Sequence, residues 1–200
     1  MIITYRLGDS LYVNMTNRCS NRCDFCVRNF GDSMGESGSL WLEREPSVDE
    51  TAEDIIKNYS GCREIVFCGY GEPLLRVEDV CAVCKKIKAS VSLPIRINTN
   101  GQADLINGRQ TAKELAGLVD TVSVSLNAPD AQSYDQICHS DYGEAAFGAV
   151  IAFAEDCKKY VPNVIFSVVD VMKPEAIEKC REIARKTGVA LRVRKMIGGE

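Results

Sequence analysis

Six short segments rich in β-branched and apolar residues recur along the chain, separated by stretches that carry helix signals. They are Leu11–Asn14, Glu64–Cys68, Ile95–Thr99, Thr121–Ser125, Val164–Val169 and Ala190–Arg194. Strand alternating with helix implies right-handed crossovers and a parallel sheet. Ser47-Val48-Asp49-Glu50 reads as a capping box that opens a helix running to about Asn58. Further helices are predicted over Val77–Ala89, Thr111–Leu118 and Ala145–Lys159, and from Pro174 to a stop at Gly188. Ahead of the first segment, Ile2–Arg6 and a Gly8-Asp9 turn predict a short N-terminal hairpin strand. A closed (β/α)8 barrel typically takes about 250 residues. Six units in 200 residues predict instead an α/β fold, an open partial (β/α)6 TIM-type barrel, as one domain over 1–200. Sites in such sheets gather at the C-terminal strand ends.

The first of those ends leads straight into cysteines. The chain has ten, and nothing at its N-terminus reads as a secretory signal, so a cytoplasmic location is expected. Reduced thiols there point to metal or redox chemistry before disulfides. Cys19, Cys23 and Cys26 fall within eight residues, close enough to wrap one compact centre. Three thiolates on a four-iron cluster leave one iron open, whereas electron carriers usually use four cysteines. The alternatives are a three-cysteine zinc module or an electron carrier. Structural zinc wants a fourth ligand, and His139, the sole histidine, stands far along the chain.

The spacing Cys19-x3-Cys23-x2-Cys26, with aromatic Phe25 before the third cysteine, resembles the signature of the radical S-adenosylmethionine (SAM) superfamily. Gly69-Tyr70-Gly71-Glu72-Pro73 is similar to that family's Gly-Gly-Glu-Pro element, with Tyr70 intruding and Gly69 displaced by one step. Asn98-Thr99-Asn100-Gly101 and Ser123-Val124-Ser125-Leu126-Asn127 stand at the next two strand ends. Within the superfamily the chain most resembles short proteins associated with TatD-type nucleases. Glycyl-radical-enzyme activases and 7-carboxy-7-deazaguanine synthases are more distantly similar.

The resemblance implies a [4Fe–4S] cluster on Cys19, Cys23 and Cys26 and a SAM site formed by Phe25, Gly69, Gly71, Glu72 and Pro73, together with Asn98, Asn100, Ser125, Asn127 and Arg194. An anionic Glu72 would complement the SAM ammonium, and Ser125 and Asn127 would reach its carboxylate or ribose. It further implies reductive cleavage of SAM, hydrogen abstraction from an unidentified substrate, and a low-potential donor such as flavodoxin or ferredoxin. An open mouth suits a protein or peptide substrate, with a small heterocycle as the alternative. Taken singly, the Gly-rich segment is also an ordinary strand-to-helix turn, and Ser125 and Asn127 are also ordinary turn residues before Pro129.

Other features bound the reading. A net charge of −4 disfavours a general nucleic-acid binder, and no apolar run approaches the ~20 residues of a membrane span. Cys81, Cys84, Cys157 and Cys180 lie on apolar helix faces and are expected in the core, with no second cluster. Gly31–Ser39, followed by Trp41, is a long loop placed to cover the first cluster.

Overall fold

A computed structural model describes residues 1–35 and 37–196. A seven-stranded sheet runs in sequence order: β1 (Thr4–Leu7), β2 (Ser10–Val13), β3 (Glu64–Phe67), β4 (Ile95–Thr99), β5 (Thr121–Ser125), β6 (Asn163–Val169) and β7 (Ala190–Arg194). The β1–β2 hairpin is antiparallel and every later pair is parallel. The first and last strands do not pair, so this is the open barrel expected, with a hairpin strand at one edge.

Helices cover the convex face. They are α1 (Val48–Asn58), α2 (Val77–Ile87), α3 (Ala103–Asn107), α4 (Ala131–Cys138), α5 (Ala145–Cys157) and α6 (Pro174–Thr187). The capping box at Ser47 forms as read, with Ser47 and Glu50 bonding each other's backbone amides. Between β4 and β5 the chain departs from the single predicted helix. It makes the short α3 and then a 3-10 turn at Ala112–Leu115. Helix α4 was not predicted at all; Asp130 caps it by accepting from the Ser133 amide at 2.8 Å.

Alternation divides each strand into two faces. Leu11, Val13, Ile65, Phe67, Ile95, Ile97, Val122, Val124, Phe166 and Val168 face the helices and form the core with Ile55, Val80, Ile87, Val150 and Phe153. Cys81, Cys84, Cys157 and Cys180 are buried in that core, as their helix positions imply. The concave face sets polar side chains among Tyr12, Val66, Ile165 and Val169. Ser10 donates to Glu64 at 2.7 Å, and Arg96 bonds both Glu64 and Asn98. Apolar burial therefore supports the sheet from outside and leaves the inside free for polar chemistry.

Candidate active site

Every parallel strand carries its C-terminal end to one rim. There Cys19, Cys26, Phe25, Gly69, Gly71, Glu72, Asn98, Asn100, Ser125 and Arg194 line a single cleft of about 190 Å³, together with Tyr70, Thr99, Cys68, Val169 and Lys195. Cys23, Pro73 and Asn127 do not line it. Cys23 instead packs against the core. Pro73 is buried as the first residue of a 3-10 turn. Asn127 lies past the end of β5 with φ 57°, and its side-chain amide points to the Cys138 sulfur at 3.8 Å. Strand alternation does not extend to it, so it does not join Ser125 on one face.

The Gly-Tyr-Gly-Glu-Pro segment is a clamp on the cysteine loop. A Cβ on Gly71 would overlap the carbonyl oxygens of Thr16 and Arg18, and one on Gly69 would overlap the Asn14 amide. Close approach of two backbones is what glycine permits here. The Glu72 amide then bonds Arg18 O at 2.8 Å. The Glu72 carboxylate, buried, accepts from Leu74 N at 3.0 Å, Thr99 Oγ1 at 2.8 Å and Asn100 N at 2.6 Å. Burial pushes its pKa up to about 7, and these three donors limit the rise. One carboxylate thus joins the ends of β3 and β4, and its own amide joins both to the cysteine loop.

The intruding Tyr70 has a job of its own. Its hydroxyl donates to Gly31 O at 2.7 Å, and its ring meets Trp41 edge-on with centroids 5.0 Å apart. Trp41 in turn donates to Asp32 at 2.9 Å, and Leu40 O accepts from Asn14 at 2.6 Å. The loop after the cysteines is therefore fastened beside the cleft; Glu36 within it lies outside the described residues.

A buried polar network holds the cysteine loop from the other side, and nothing in the sequence pattern singled it out. Gln102 Nε2 donates to Asn21 Oδ1 at 2.8 Å and Tyr134 Oη at 2.9 Å, while its Oε1 accepts from Ser20 at 2.8 Å and Ser140 at 3.1 Å. Asn100 adds a bond to Ser20 at 2.8 Å. Carbonyls at the end of α4 accept from Arg22 N and Asp24 N. Helix α4 ends on this loop at an αL cap, His139, whose side chain bonds Asp24 at 2.8 Å.

The three thiols suit a thiolate-ligated cluster. Cys19, Cys23 and Cys26 are unpaired and half-buried. Cys19 receives N–H donors from Asn21 at 3.4 Å and Asn100 at 3.9 Å, a setting that favours an anionic sulfur. Burial pushes the Cys19 thiol up to about 12 and raises Cys26 as well, so ligation would displace protons. A four-iron cluster takes each of three thiolates at a separate iron. The donor set fits the cluster.

Comparison with known proteins agrees with this geometry. The family model described as "Radical SAM superfamily" matches residues 13–187. The chain is 29% identical over 189 residues to a probable GTP 3',8-cyclase of Thermococcus kodakarensis, covering 92% of this chain and 55% of that protein. It is 36% identical over 135 residues to a GTP 3',8-cyclase of Streptomyces coelicolor, covering 64% and 36%. The chain therefore spans about half, or less, of the length of these relatives. Among solved structures, native anSMEcpe with bound AdoMet superposes with a TM-score of 0.67 at 18% identity, over 93% of this chain and 50% of that one. TYW1 with a lysine-pyruvate adduct bound gives 0.65 at 14% identity, over 96% and 67%. At these identities the structures speak to the fold alone.

Proposed function

The chain belongs to the radical SAM superfamily, and from that premise we propose that it is an enzyme that cleaves SAM reductively and abstracts hydrogen from a small polar molecule. The superfamily uses a [4Fe–4S] cluster and SAM. Bound here, they would supply a 5′-deoxyadenosyl radical and methionine from one electron and one sulfonium bond.

The observation that carries this reading is the convergence of Cys19, Cys26, Gly71, Glu72, Asn100 and Ser125 on one cleft from four separate segments of chain. Cys19, Cys23 and Cys26 would hold the cluster. Gly69–Pro73 would fix the cysteine loop against β3 and present backbone to the SAM methionine end. Asn98 and Ser125 would orient the remainder from β4 and β5, while Phe25 and Val169 exclude water. The reductant is expected to be a low-potential carrier of the flavodoxin or ferredoxin kind.

A small-molecule substrate is favoured over the protein or peptide first expected. Relatives aligned with most of this chain are named for a reaction of GTP, and the concave face is lined with Ser, Asn, Glu and Arg side chains suited to polar groups. Anaerobically reconstituted protein given SAM and dithionite should release 5′-deoxyadenosine and methionine above a cluster-free control. Cluster-loaded, folded protein that releases neither would overturn the proposal.

A further inference from the structure

Helix α4 turns one of its faces onto the cysteine loop. Tyr134 and Cys138 stand four residues apart on that helix, one turn from each other on the same side. Tyr134 accepts from Asn21 at 3.1 Å, and the Cys138 thiol lies within hydrogen-bond reach of Cys23. The backbone fixes this second pairing. Carbonyls in the last turn of a helix have no partner within it. Here those of Ile137 and Cys138 accept from Asp24 N at 3.1 Å and Arg22 N at 2.9 Å, the amides on either side of Cys23. Cys138 is fully buried. Asn127 reaches it from beyond β5, turning its side-chain N–H toward the Cys138 sulfur at 3.8 Å. That contact uses the sulfur as an acceptor and leaves the thiol proton free. Neither Cys138 nor Asn127 lines the cleft, so neither is placed to touch SAM or substrate.

A thiolate ligand has no proton to share, so the hydrogen between these two sulfurs belongs to Cys138. Hydrogen bonds to the sulfurs of an iron–sulfur cluster help to set its reduction potential. Reduction adds one negative charge, part of which falls on the thiolates. A donor aimed at one of them stabilises the reduced cluster more than the oxidised one, and so raises the potential. Burial acts the other way, and Cys23 packs against apolar core side chains, where added charge is poorly solvated. Resting on the cluster assignment above, we propose that Cys138, oriented by Asn127, donates its S–H to the Cys23 thiolate and raises the potential at which the cluster accepts its electron. Cys138 is then a positioning residue, acting through Cys23 at the step where the one electron from the low-potential carrier enters. The iron that SAM needs stays open, because Cys138 keeps its proton and ligates nothing.

The test is a redox titration of the anaerobically reconstituted full chain, followed by the electron paramagnetic resonance of the reduced cluster. Cys138→Ala removes the donor. At the wild-type midpoint it should lower the ratio of reduced to oxidised cluster about threefold to tenfold, a fall of about 30–60 mV for one electron, with iron content unchanged. Cys138→Ser keeps a donor and should recover at least half of that fall. Asn127→Gly suits the left-handed backbone there, frees the thiol to turn, and should lower the ratio at least twofold. If Cys138→Ala fails to fold, Asn127→Gly carries the test. Cys157→Ala, which removes another buried core thiol, should leave the potential alone. A wild-type midpoint in both Cys138→Ala and Asn127→Gly would overturn the inference. So would an equal fall in the alanine and serine variants, since the effect would then be one of packing. Loss of iron from folded Cys138→Ala would also overturn it, by making Cys138 a ligand. Release of 5′-deoxyadenosine is scored separately. A potential that follows Cys138 without SAM cleavage would sink the proposed activity and leave this inference standing, and cleavage with an unmoved potential would do the opposite.

Discussion

The backbone amide of Asn100 donates to the Glu72 carboxylate at 2.6 Å, tying the end of β4 to the turn after β3. Because the carboxyl is buried, its pKa rises from 4.5 to about 7. A folded value above the unfolded one means the protonated form is favoured by folding. The contribution is fully present below about pH 4.5 and is lost as pH rises through 7. The rise corresponds to about 3 kcal/mol. Glu72→Gln cannot ionise, and its NH2 would face the Asn100 N–H. Cluster-free wild type should therefore be the more stable of the two at pH 4, and the gap between their unfolding free energies should shrink toward pH 8. A gap that does not change with pH would show that Glu72 does not titrate in this range.

Gly71 tests the clamp by volume alone. An alanine methyl there would run into the Thr16 and Arg18 carbonyls, which are backbone and cannot swing aside. Gly71→Ala should lower stability by about 1–3 kcal/mol, as overpacking does, and should reduce iron retained after reconstitution. Gly31→Ala, with nothing within 4 Å of the new methyl, should do neither. Equal iron content in both variants would mean that the cysteine loop does not depend on this contact.

Tyr70 offers an optical readout, since Trp41 is the sole tryptophan. Tyr70→Phe keeps the edge-on ring contact and loses the bond to Gly31, at about 1 kcal/mol. Tyr70→Ala loses both. Trp41 emission should shift to the red in the alanine variant and barely in the phenylalanine one, and loop proteolysis should follow the same order. Identical spectra in all three proteins would show that Trp41 does not rest on Tyr70.

The architecture was legible because it rests on local signals. Apolar segments such as Ile95–Thr99 and the capping box at Ser47 each fix an element within a few residues. The thiols were legible because a tight spacing sits next to a strand end. Asn127 came into the SAM site by resemblance alone, and the structure sets it two residues past β5, in a left-handed turn outside the cleft. Tyr70 looked like a flaw in a glycine motif, yet it fastens a loop nearly forty residues away in sequence. The network around Gln102 could not be read at all. Ser20, Asn21, Gln102, Tyr134 and Ser140 come from three separate regions, and a polar residue carries no sign in the sequence of who its buried partner will be.

For the thiols themselves, Cys19→Ala, Cys23→Ala and Cys26→Ala should each abolish retention of about four irons per chain. Cys81→Ala and Cys180→Ala should retain iron and lose only packing, since both thiols are buried against helix and sheet side chains. Wild-type protein isolated anaerobically with one zinc and no iron uptake on reconstitution would overturn the cluster assignment.

Gln102 makes the strongest case for a residue that acts through position. Its amide uses both donors and both acceptors, on Asn21, Tyr134, Ser20 and Ser140, and Ser20 and Asn21 lie between the first two cysteines. Gln102→Leu keeps the volume near enough for packing but takes one bond each from Asn21, Tyr134, Ser20 and Ser140; Tyr134 and Ser20 keep a bond to Asn21 and Asn100, while a buried polar group left unpaired costs about 1–3 kcal/mol. Relaxation will recover part of that, so a net loss of about 2–4 kcal/mol is expected. Tyr134→Phe removes one shared acceptor only and should cost less. Because no thiol is touched, the variant should still take up iron on reconstitution but release it faster to a chelator than wild type. Measuring that release rate beside the melting temperature separates loop positioning from general loss of fold. If Gln102→Leu melts lower but releases iron at the wild-type rate, the network stabilises the barrel without positioning the cysteines.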